Sequence, residues 1–449
     1  MLARVVRFGC LDRASLLGTE KPRNTSPTRE RGLRSQRTFS PRWRVGLVLT
    51  CTLGMSLCIA TDCRAADRPD VVVTDAARKV HAAGFVFDGH NDLPWTVRTE
   101  ASSSFDVADL AKSLPKFHTD IARLRQGNVG AQFWSVYVPA EASKEGKSLL
   151  QTLEQIQLVY EMVKRYPNVF ELARTASDVE RIQKSGKIAS LIGVEGGHCI
   201  EDSLENLKRL HKLGAGYMTL THSDTLSWAD SATDEPEHEG LTLFGEQVVL
   251  EMNKLGMLVD LSHVSVNTMK DALHVSKAPV IFSHSSARAV ADHPRNVPDE
   301  VLISLKFNGG IVMVNFFPGF IHSESARRRA NMFQVSRELR EKFPNEADYK
   351  KARQEWEKAH PIEPGSVHDV CDHIEHIAKV AGVDHIGLGS DYDGISMVPR
   401  QLEDVSTYPV ITQELLNRGF TAAQIQQINS GNILRVMRLA EEVAAMKLK

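Results

Sequence analysis

The sequence predicts an α/β fold, a TIM-like (β/α)8 barrel with a charged helical insertion after the seventh strand. Three observations predict it. Past residue 70, short apolar, β-rich runs recur eight times. Longer amphipathic stretches separate them, and the runs are apolar throughout rather than alternating, as strands of a parallel sheet covered on both faces are. Eight such units in about 360 residues fit a barrel with insertions, an open doubly wound sheet being the alternative architecture.

The eight runs are Phe85–Asp88, Ala131–Val138, Ile188–Val194, Tyr217–Thr221, Met257–Ser262, Pro279–Ser283, Gly310–Asn315 and His385–Gly389. The second, through Gln132-Phe133-Trp134-Ser135, is the least aliphatic. Helical periodicity is plain in Ser148–Arg165, Leu204–Leu213 and Val370–Ala381, and the last of these carries His373 and His376 on its expected surface. Residues 323–365 exceed the basic unit. They hold Arg327-Arg328-Arg329 and a charged helical run from Ser336 to Lys358, and close on Pro361 and Pro364. A loop after a barrel strand belongs to the active-site face. The segment therefore reads as a solvated surface hairpin or, alternatively, as a lid.

The organisation expected is a basic lead and export signal over residues 1–65, then a single catalytic domain over 66–449. Residues 1–65 hold 12 Lys and Arg against 4 Asp and Glu, so the remainder of a chain with net charge −2 is acidic. An acidic body argues against a nucleic-acid partner. The apolar run Val45–Ala60 follows Arg42-Trp43-Arg44 and precedes Cys63-Arg64-Ala65-Ala66, small residues at the spacing of a signal-peptidase site. It is too short and too rich in Gly, Ser and Thr for a good membrane span. The long lead from Met1 to Trp43 is either an extended basic region or a start codon assigned too early. The expectation is export to a periplasmic or extracellular space after cleavage near Ala65. A cytoplasmic protein with a disordered tail is the alternative. No lipobox precedes Cys58 or Cys63, and Met446-Lys447-Leu448-Lys449 offers no hydrophobic tail, so neither a lipid nor a GPI anchor is expected. Cys199 and Cys371 alone remain in the mature chain and allow one bridge without requiring it.

Polar, metal-competent residues stand at the C-terminal ends of the strands, which converge on one mouth of a barrel. The first strand runs into His90-Asn91-Asp92, the third into Glu195, the fourth into His222, the fifth into His263, the sixth into His284 and the eighth into Asp391. In His90-x-Asp92 both side chains face one side if the strand stays extended. His263 and His284 supply two neutral imidazoles from adjacent strands, and Glu195 has two oxygens with which to bridge. Three His and two carboxylates suit Zn²⁺, with Mn²⁺ or Co²⁺ as substitutes. Two close ions can share a hydroxide and clamp a tetrahedral intermediate. Each piece is weak alone, and the specific signal is five candidate ligands at successive strand ends. His118, His198, His274 and His293 read as helix-end or supporting groups.

These motifs resemble the membrane (renal) dipeptidase family, a zinc-dependent branch of the metal-dependent amidohydrolase barrels. The matching segments are Asp88-Gly89-His90-Asn91-Asp92-Leu93-Pro94, Gly193-Val194-Glu195-Gly196-Gly197-His198, Leu220-Thr221-His222-Ser223 and Val259-Asp260-Leu261-Ser262-His263. They continue through Phe282-Ser283-His284-Ser285-Ser286-Ala287, Arg295-Asn296-Val297-Pro298, Gly389-Ser390-Asp391-Tyr392-Asp393-Gly394 and Glu403-Asp404-Val405-Ser406 to Gly431-Asn432-Ile433-Leu434-Arg435-Val436, in order and without a missing block. The resemblance implies two zinc ions, one held by His90 and Asp92, the other by His263 and His284, with Glu195 and a hydroxide bridging both. It implies that His222 contacts the substrate carbonyl and that Arg295 binds the substrate's free carboxylate. It implies that Asp391 accepts the proton of the attacking water and passes it to the leaving amine. The implied reaction is hydrolysis of dipeptides, including those with a C-terminal D-residue, and the implied assembly is a homodimer. The alternatives are a related amidohydrolase acting on N-acyl amino acids or cyclic imides, and an inactive metal-binding protein. Two departures stand out. Asp224 and Ala140 occupy positions where the animal enzymes carry cysteines, so the family's disulfides are expected to be absent. The insert after the seventh strand is also longer than theirs.

Overall fold

All eight apolar runs form strands, and they close into a ring. The computed structural model describes residues 68–446. The basic lead, the apolar run, the expected cleavage site near Ala65 and Cys10, Cys51, Cys58 and Cys63 lie outside the described residues. The strands are β1 (Val86–Asn91), β2 (Val129–Tyr137), β3 (Phe170–Leu172), β4 (Ile188–Glu195), β5 (Ala215–Thr219), β6 (Leu258–Asp260), β7 (Ile281–Ser285), β8 (Ile311–Val314) and β9 (Ile386–Leu388). Every pairing between them is parallel. Pairing of β2 with β4 and of β1 with β9 joins the ends, which excludes the open doubly wound alternative.

One strand was not legible in the sequence. The short β3 pairs with Ile188–Ser190 of β4, on the edge that β5 takes over from Ile192 onward, so it stands outside the ring of eight. Three residues that cover half of one neighbour leave no pattern in the sequence.

The barrel interior is filled by side chains. Tyr217 is fully buried against Phe133, and a Cβ on Gly193 would stand 2.1 Å from its ring. Gly193 is therefore the space Tyr217 occupies, which matters below because Tyr217 supports a site residue. Outside, helix Ser148–Arg165 buries Thr152, Gln155, Ile156, Val159 and Met162, the i, i+3, i+4, i+7 stripe its sequence shows.

Helix Val367–Val380 corrects one expectation. His373 is not on its surface. The side chain is fully buried, Nδ1 accepts the Ala287 N–H at 2.9 Å, and the other ring nitrogen meets the Ile321 carbonyl at 3.1 Å. The loops after β7 and β8 lie over this face of the helix, so its apolar stripe is wider than Val370, Ile374 and Ile377 alone. His376 is half-buried and pairs with Asp299 at 2.7 Å. Burial lowers the His373 pKa to about 4, and protonating Nδ1 would break the Ala287 hydrogen bond. A folded pKa below the unfolded value of 6.5 contributes stability that is complete above pH 6.5 and drains away as pH falls toward 4. At pH 5 the loss through this group is about 2 kcal/mol. His373→Gln is therefore expected to show a smaller drop in thermal midpoint between pH 7 and pH 5 than the parent. Equal drops would show that His373 does not carry this dependence.

The insertion is an αα-hairpin and not merely solvated. The expected single run Ser336–Lys358 is broken at Pro344, giving helices Met332–Lys342 and Glu346–Ala359. Asn345 caps the second by accepting the Ala347 and Asp348 N–H groups. A shorter helix, Ser323–Arg329, leads in. Arg337 reaches Asp234 (3.1 Å) and the carbonyls of Ser223 and Thr233, and Lys350 reaches Glu100 (2.6 Å). These partners sit on the loop that follows β5 and at the end of helix Leu93–Glu100, which follows β1, so the hairpin is tied across the mouth of the barrel as a roof. Cys199 and Cys371 are both buried and unbridged.

Candidate metal centre

The strand ends meet under this roof. A cavity of about 650 Å³ is lined by Asp92, Glu195, His222, His263, His284, Arg295 and Asp391, with Met332, Phe333, Arg340, Tyr349, Lys350 and Arg353 of the insertion opposite them. His90 is fully buried just behind. All eight residues singled out in the sequence are thus brought to one place.

Glu195 is the centre of the arrangement. Its Oε2 lies 3.5 Å from His90 Nε2, which in turn is 3.2 Å from Asp92 Oδ2. Its Oε1 lies 3.2 Å from His263 Nε2, 3.5 Å from His284 Nε2 and 3.6 Å from His222 Nε2. One carboxylate therefore offers one oxygen to each of two ligand groups. Ligand atoms of His90, Glu195 and His284, of Glu195, His222 and His263, and of His90, Asp92 and Asp391 lie within 4.8 Å of one another.

Local structure explains the placement. β1 ends at Asn91, and Asp92 has already turned (φ −92, ψ 24) as the cap of helix Leu93–Glu100. The extended geometry assumed for His90-x-Asp92 does not hold, yet the turn still brings both side chains together. His263 and Asp391 have left-handed backbones, φ 73 and 66. That conformation costs an L-residue about 1–2 kcal/mol. At His263 it is held by three donors on the carbonyl: Ala232 N–H (2.7 Å), Thr221 Oγ1 (3.2 Å) and Ser231 Oγ (3.3 Å). Asp92 N–H donates to the Tyr392 carbonyl and Asp391 N–H to that of His90, locking the ends of β1 and β9 together. Gly394 lets this loop close, since a Cβ there would meet Asp92 Oδ2 at 2.2 Å.

Neighbouring groups fix which ring nitrogen faces the cavity. Tyr217 Oη lies 2.8 Å from His90 Nδ1 and 3.3 Å from the Gly89 carbonyl. With the tyrosine proton on the carbonyl, Nδ1–H of His90 donates to the phenol and Nε2 keeps its lone pair. Ser283 Oγ donates to Asp260 (2.6 Å) and so accepts from His284 Nδ1 (2.8 Å), leaving Nε2 of His284 free as well. Asp260 and Asp88 are the rivets beneath. Asp260 also takes Thr219 Oγ1 and the N–H groups of Ser262 and Ser283, and Asp88 takes Ser390 Oγ, Tyr408 Oη and the N–H groups of His90 and Ser390. Ser135 donates to Glu195 Oε2 at 3.0 Å and Asn315 to Asp391 Oδ2 at 2.8 Å. Sequence reasoning missed Tyr217, Ser283, Ser135, Asn315 and the two rivet aspartates. The available signal was a polar residue interrupting an apolar strand.

The donor set fits divalent metal ions. Among the described residues His90 Nε2 and Asp92 Oδ1 have no hydrogen-bond partner. Nε2 of His263 and of His284 face each other at 2.9 Å, a contact that needs a cation or a proton between them. Burial, with Arg295 and His222 near His263 and with His90 and Arg295 near His284, pushes both pKa values well down, so these imidazoles are neutral lone-pair donors. Burial opposes charge on His90, but Tyr217, Glu195 and Asp92 outweigh it and favour a positive charge at that spot. Burial likewise opposes ionisation of Glu195, and His90, His263 and His222 overcome it. Burial pushes Asp391 up to about 8, with Asp92 and Glu195 adding to the shift and His90 opposing it. His222 is lowered to about 4 by burial and is neutral near pH 7. Its side chain is 14 % exposed, against 5 % or less for the other three histidines, so it faces the cavity more openly.

Arg295 is a buried cation with spare donors. Its hydrogen bonds go to Ser285 Oγ and the His284 carbonyl, both at 3.3 Å, and Nε has none among the described residues. Its guanidinium lies 5.2 Å from the Phe320 ring centroid, and burial lowers its pKa only to about 10, so it stays charged.

A family model for membrane dipeptidases, peptidase family M19, matches residues 74–449. Dipeptidase verJ of Clonostachys rogersoniana is 39% identical over 374 residues, covering 81% of this chain and 86% of its own. Dipeptidase 3 of Mus musculus is 41% identical over 366 residues, covering 80% of this chain and 65% of its own length. Among solved structures, the probable dipeptidase PvdM from Pseudomonas aeruginosa superposes with a TM-score of 0.70 at 23% identity, over 82% of this chain and 98% of that one. A metallopeptidase from Rhodobacter sphaeroides, liganded with a phosphinate mimic of the dipeptide L-Ala-D-Ala, superposes with a TM-score of 0.65 at 22% identity, over 79% and 99%. These two likenesses show the same fold.

Proposed function

The chain belongs to the membrane dipeptidase family and is a metal-dependent dipeptidase, and from that premise we propose an exported enzyme with two zinc ions per chain that hydrolyses free dipeptides, those ending in a D-residue included. The observation that carries the two-ion reading is the division of Glu195 between two ligand groups. His90 and Asp92 would hold one ion and His263 and His284 the other, with Glu195 between them. Bound there, the ions supply Lewis acidity and an acidified water near neutral pH.

The chain's own residues do the rest. Arg295 pairs its unused donors with the substrate's free carboxylate, which favours short substrates. His222, neutral and open to the cavity, donates an N–H to the scissile carbonyl as negative charge develops on it. Asp391, steadied by Asn315, takes a proton from the attacking water and returns it to the leaving amine. Acceptance of a C-terminal D-residue is supported by the L-Ala-D-Ala mimic in the Rhodobacter structure. Export rests on the basic lead, apolar run and small-residue site before Ala66. No helix among the described residues is long and apolar enough to cross a membrane.

The test is metal content together with a dipeptide panel (L-L, L-D and N-acetylated) on protein starting at Ala66. Two zinc ions per chain, cleavage of free but not acetylated dipeptides, and loss of turnover on chelation with recovery on adding zinc back are expected. Activity confined to acylated or cyclic amides would keep the site and move the substrate. Folded protein with no metal and no turnover would overturn the reading.

A further inference from the structure

The roof is two-sided, and its apolar side stands beside Arg295. Phe320 lies under the Arg295 guanidinium at 5.2 Å and packs edge-on against Phe317 at 5.0 Å. Phe333, from the first long helix of the insertion, stacks parallel to Phe320, with centroids 6.4 Å apart and planes within 6°. It also meets the His263 ring edge-on at 6.2 Å. An insertion side chain thus touches both a residue of the metal cluster and the aromatic that supports Arg295. Phe317, Phe320 and Met332 are buried, whereas Phe333 is only partly covered and lines the cavity.

The position of Phe333 is defined from both sides of the hairpin. Four residues on, Arg337 is tied to the loop after β5, and the second long helix is pinned by Arg329, whose guanidinium lies 4.7 Å from the Trp356 ring centroid. Arg329 is itself buried, with Nε and Nη1 unpartnered among the described residues, and the charge of Glu357 on the same second helix also favours its cationic form.

We infer that Phe333, with Phe320 and Phe317, forms the subsite for the side chain of the substrate's C-terminal residue and selects dipeptides ending in a large apolar residue. The inference rests on the dipeptidase reading and on Arg295 as the carboxylate site. A carboxylate held by Arg295 puts the adjoining Cα one bond away. The polar flank of the guanidinium is taken by Ser285 and the His284 carbonyl, so the side chain turns to the aromatic flank. An apolar side chain is desolvated there against matching surface. A carboxylate side chain would be desolvated against rings that offer it no hydrogen bond. Phe333 is a specificity residue and takes no part in bond cleavage.

The experiment compares kcat/KM for L-Ala-L-Phe, L-Ala-L-Leu, L-Ala-L-Asp and L-Ala-Gly in the parent enzyme, Phe333→Ala and Phe333→Leu. The parent is expected to favour the Phe and Leu substrates over the Gly and Asp ones by about tenfold or more. Phe333→Ala should cut the Phe-to-Gly ratio by about tenfold, and Phe333→Leu, which keeps an apolar wall, by less. A flat parent profile, or an unchanged ratio in both variants, overturns the subsite while leaving the dipeptidase reading intact. If Phe333→Ala does not fold, the Leu variant decides by the same ratio. A folded, metal-bearing parent that cleaves none of the four overturns the dipeptidase reading, and the subsite with it.

Discussion

Glu195→Gln is expected to cost the enzyme about three orders of magnitude in kcat/KM, roughly 4 kcal/mol of transition-state stabilisation. Glutamine keeps the length and shape of the side chain, and Ser135 can still donate to its one remaining oxygen. What it loses is the second oxygen. The amide nitrogen that replaces it carries protons toward either His90 Nε2 or the His263 and His284 pair, where a lone pair is needed. One ligand group is left without its shared anion, and the imidazoles there gain an N–H facing them in place of a negative charge. Metal analysis is the decisive companion measurement. Content should fall to one ion per chain or fewer, while the circular dichroism spectrum is retained. A variant that keeps both ions and most of its activity would show that Glu195 does not bridge.

Asp391→Asn is expected to lower kcat by about 10²–10⁴, the range of a lost general acid–base group, and to move KM by only a few-fold. The substitution is conservative in structure. Asparagine tolerates the left-handed backbone at φ 66, and its Oδ1 can take the place of Asp391 Oδ2 in accepting from Asn315 Nδ2, while Asn315 Oδ1 goes on accepting the Phe317 N–H. The loss is therefore one of proton transfer. Metal content separates two roles for this residue, because Asp391 also lies within ligand distance of His90 and Asp92. Retained metal with reduced kcat supports the proton carrier. Metal lost along with activity would make Asp391 a ligand instead.

The strand ends and the supporting groups were unequally legible. His90, Asp92, Glu195, His222, His263, His284 and Asp391 each break an apolar run at its C-terminal end, where a barrel gathers them, so type and position together pointed to one mouth. Arg295 became readable only through the likeness of its Arg-Asn-Val-Pro setting to a family pattern. Tyr217, Ser283, Ser135 and Asn315 were not readable as site residues. A tyrosine inside a strand or a serine before a histidine is an ordinary residue until the neighbouring strand is known, and the contact joining His90 to Tyr217 spans 127 residues of chain. His373 was misread because the helix pattern marks which face is apolar but not how much chain later covers it.

The sequence by itself determined the number and order of the ring strands, the class of chemistry at their ends and the residue types that carry it. Those depend on continuous apolar runs, helical periodicity and composition, which each segment carries on its own. Only the tertiary structure decided how Glu195 is shared between two histidine groups, which imidazole nitrogen keeps its lone pair, and that the charged insertion bends over the barrel mouth to stack Phe333 on Phe320, the ring under Arg295. Those depend on ring closure and on contacts between segments far apart in the chain, and no single segment carries the distance to its partner.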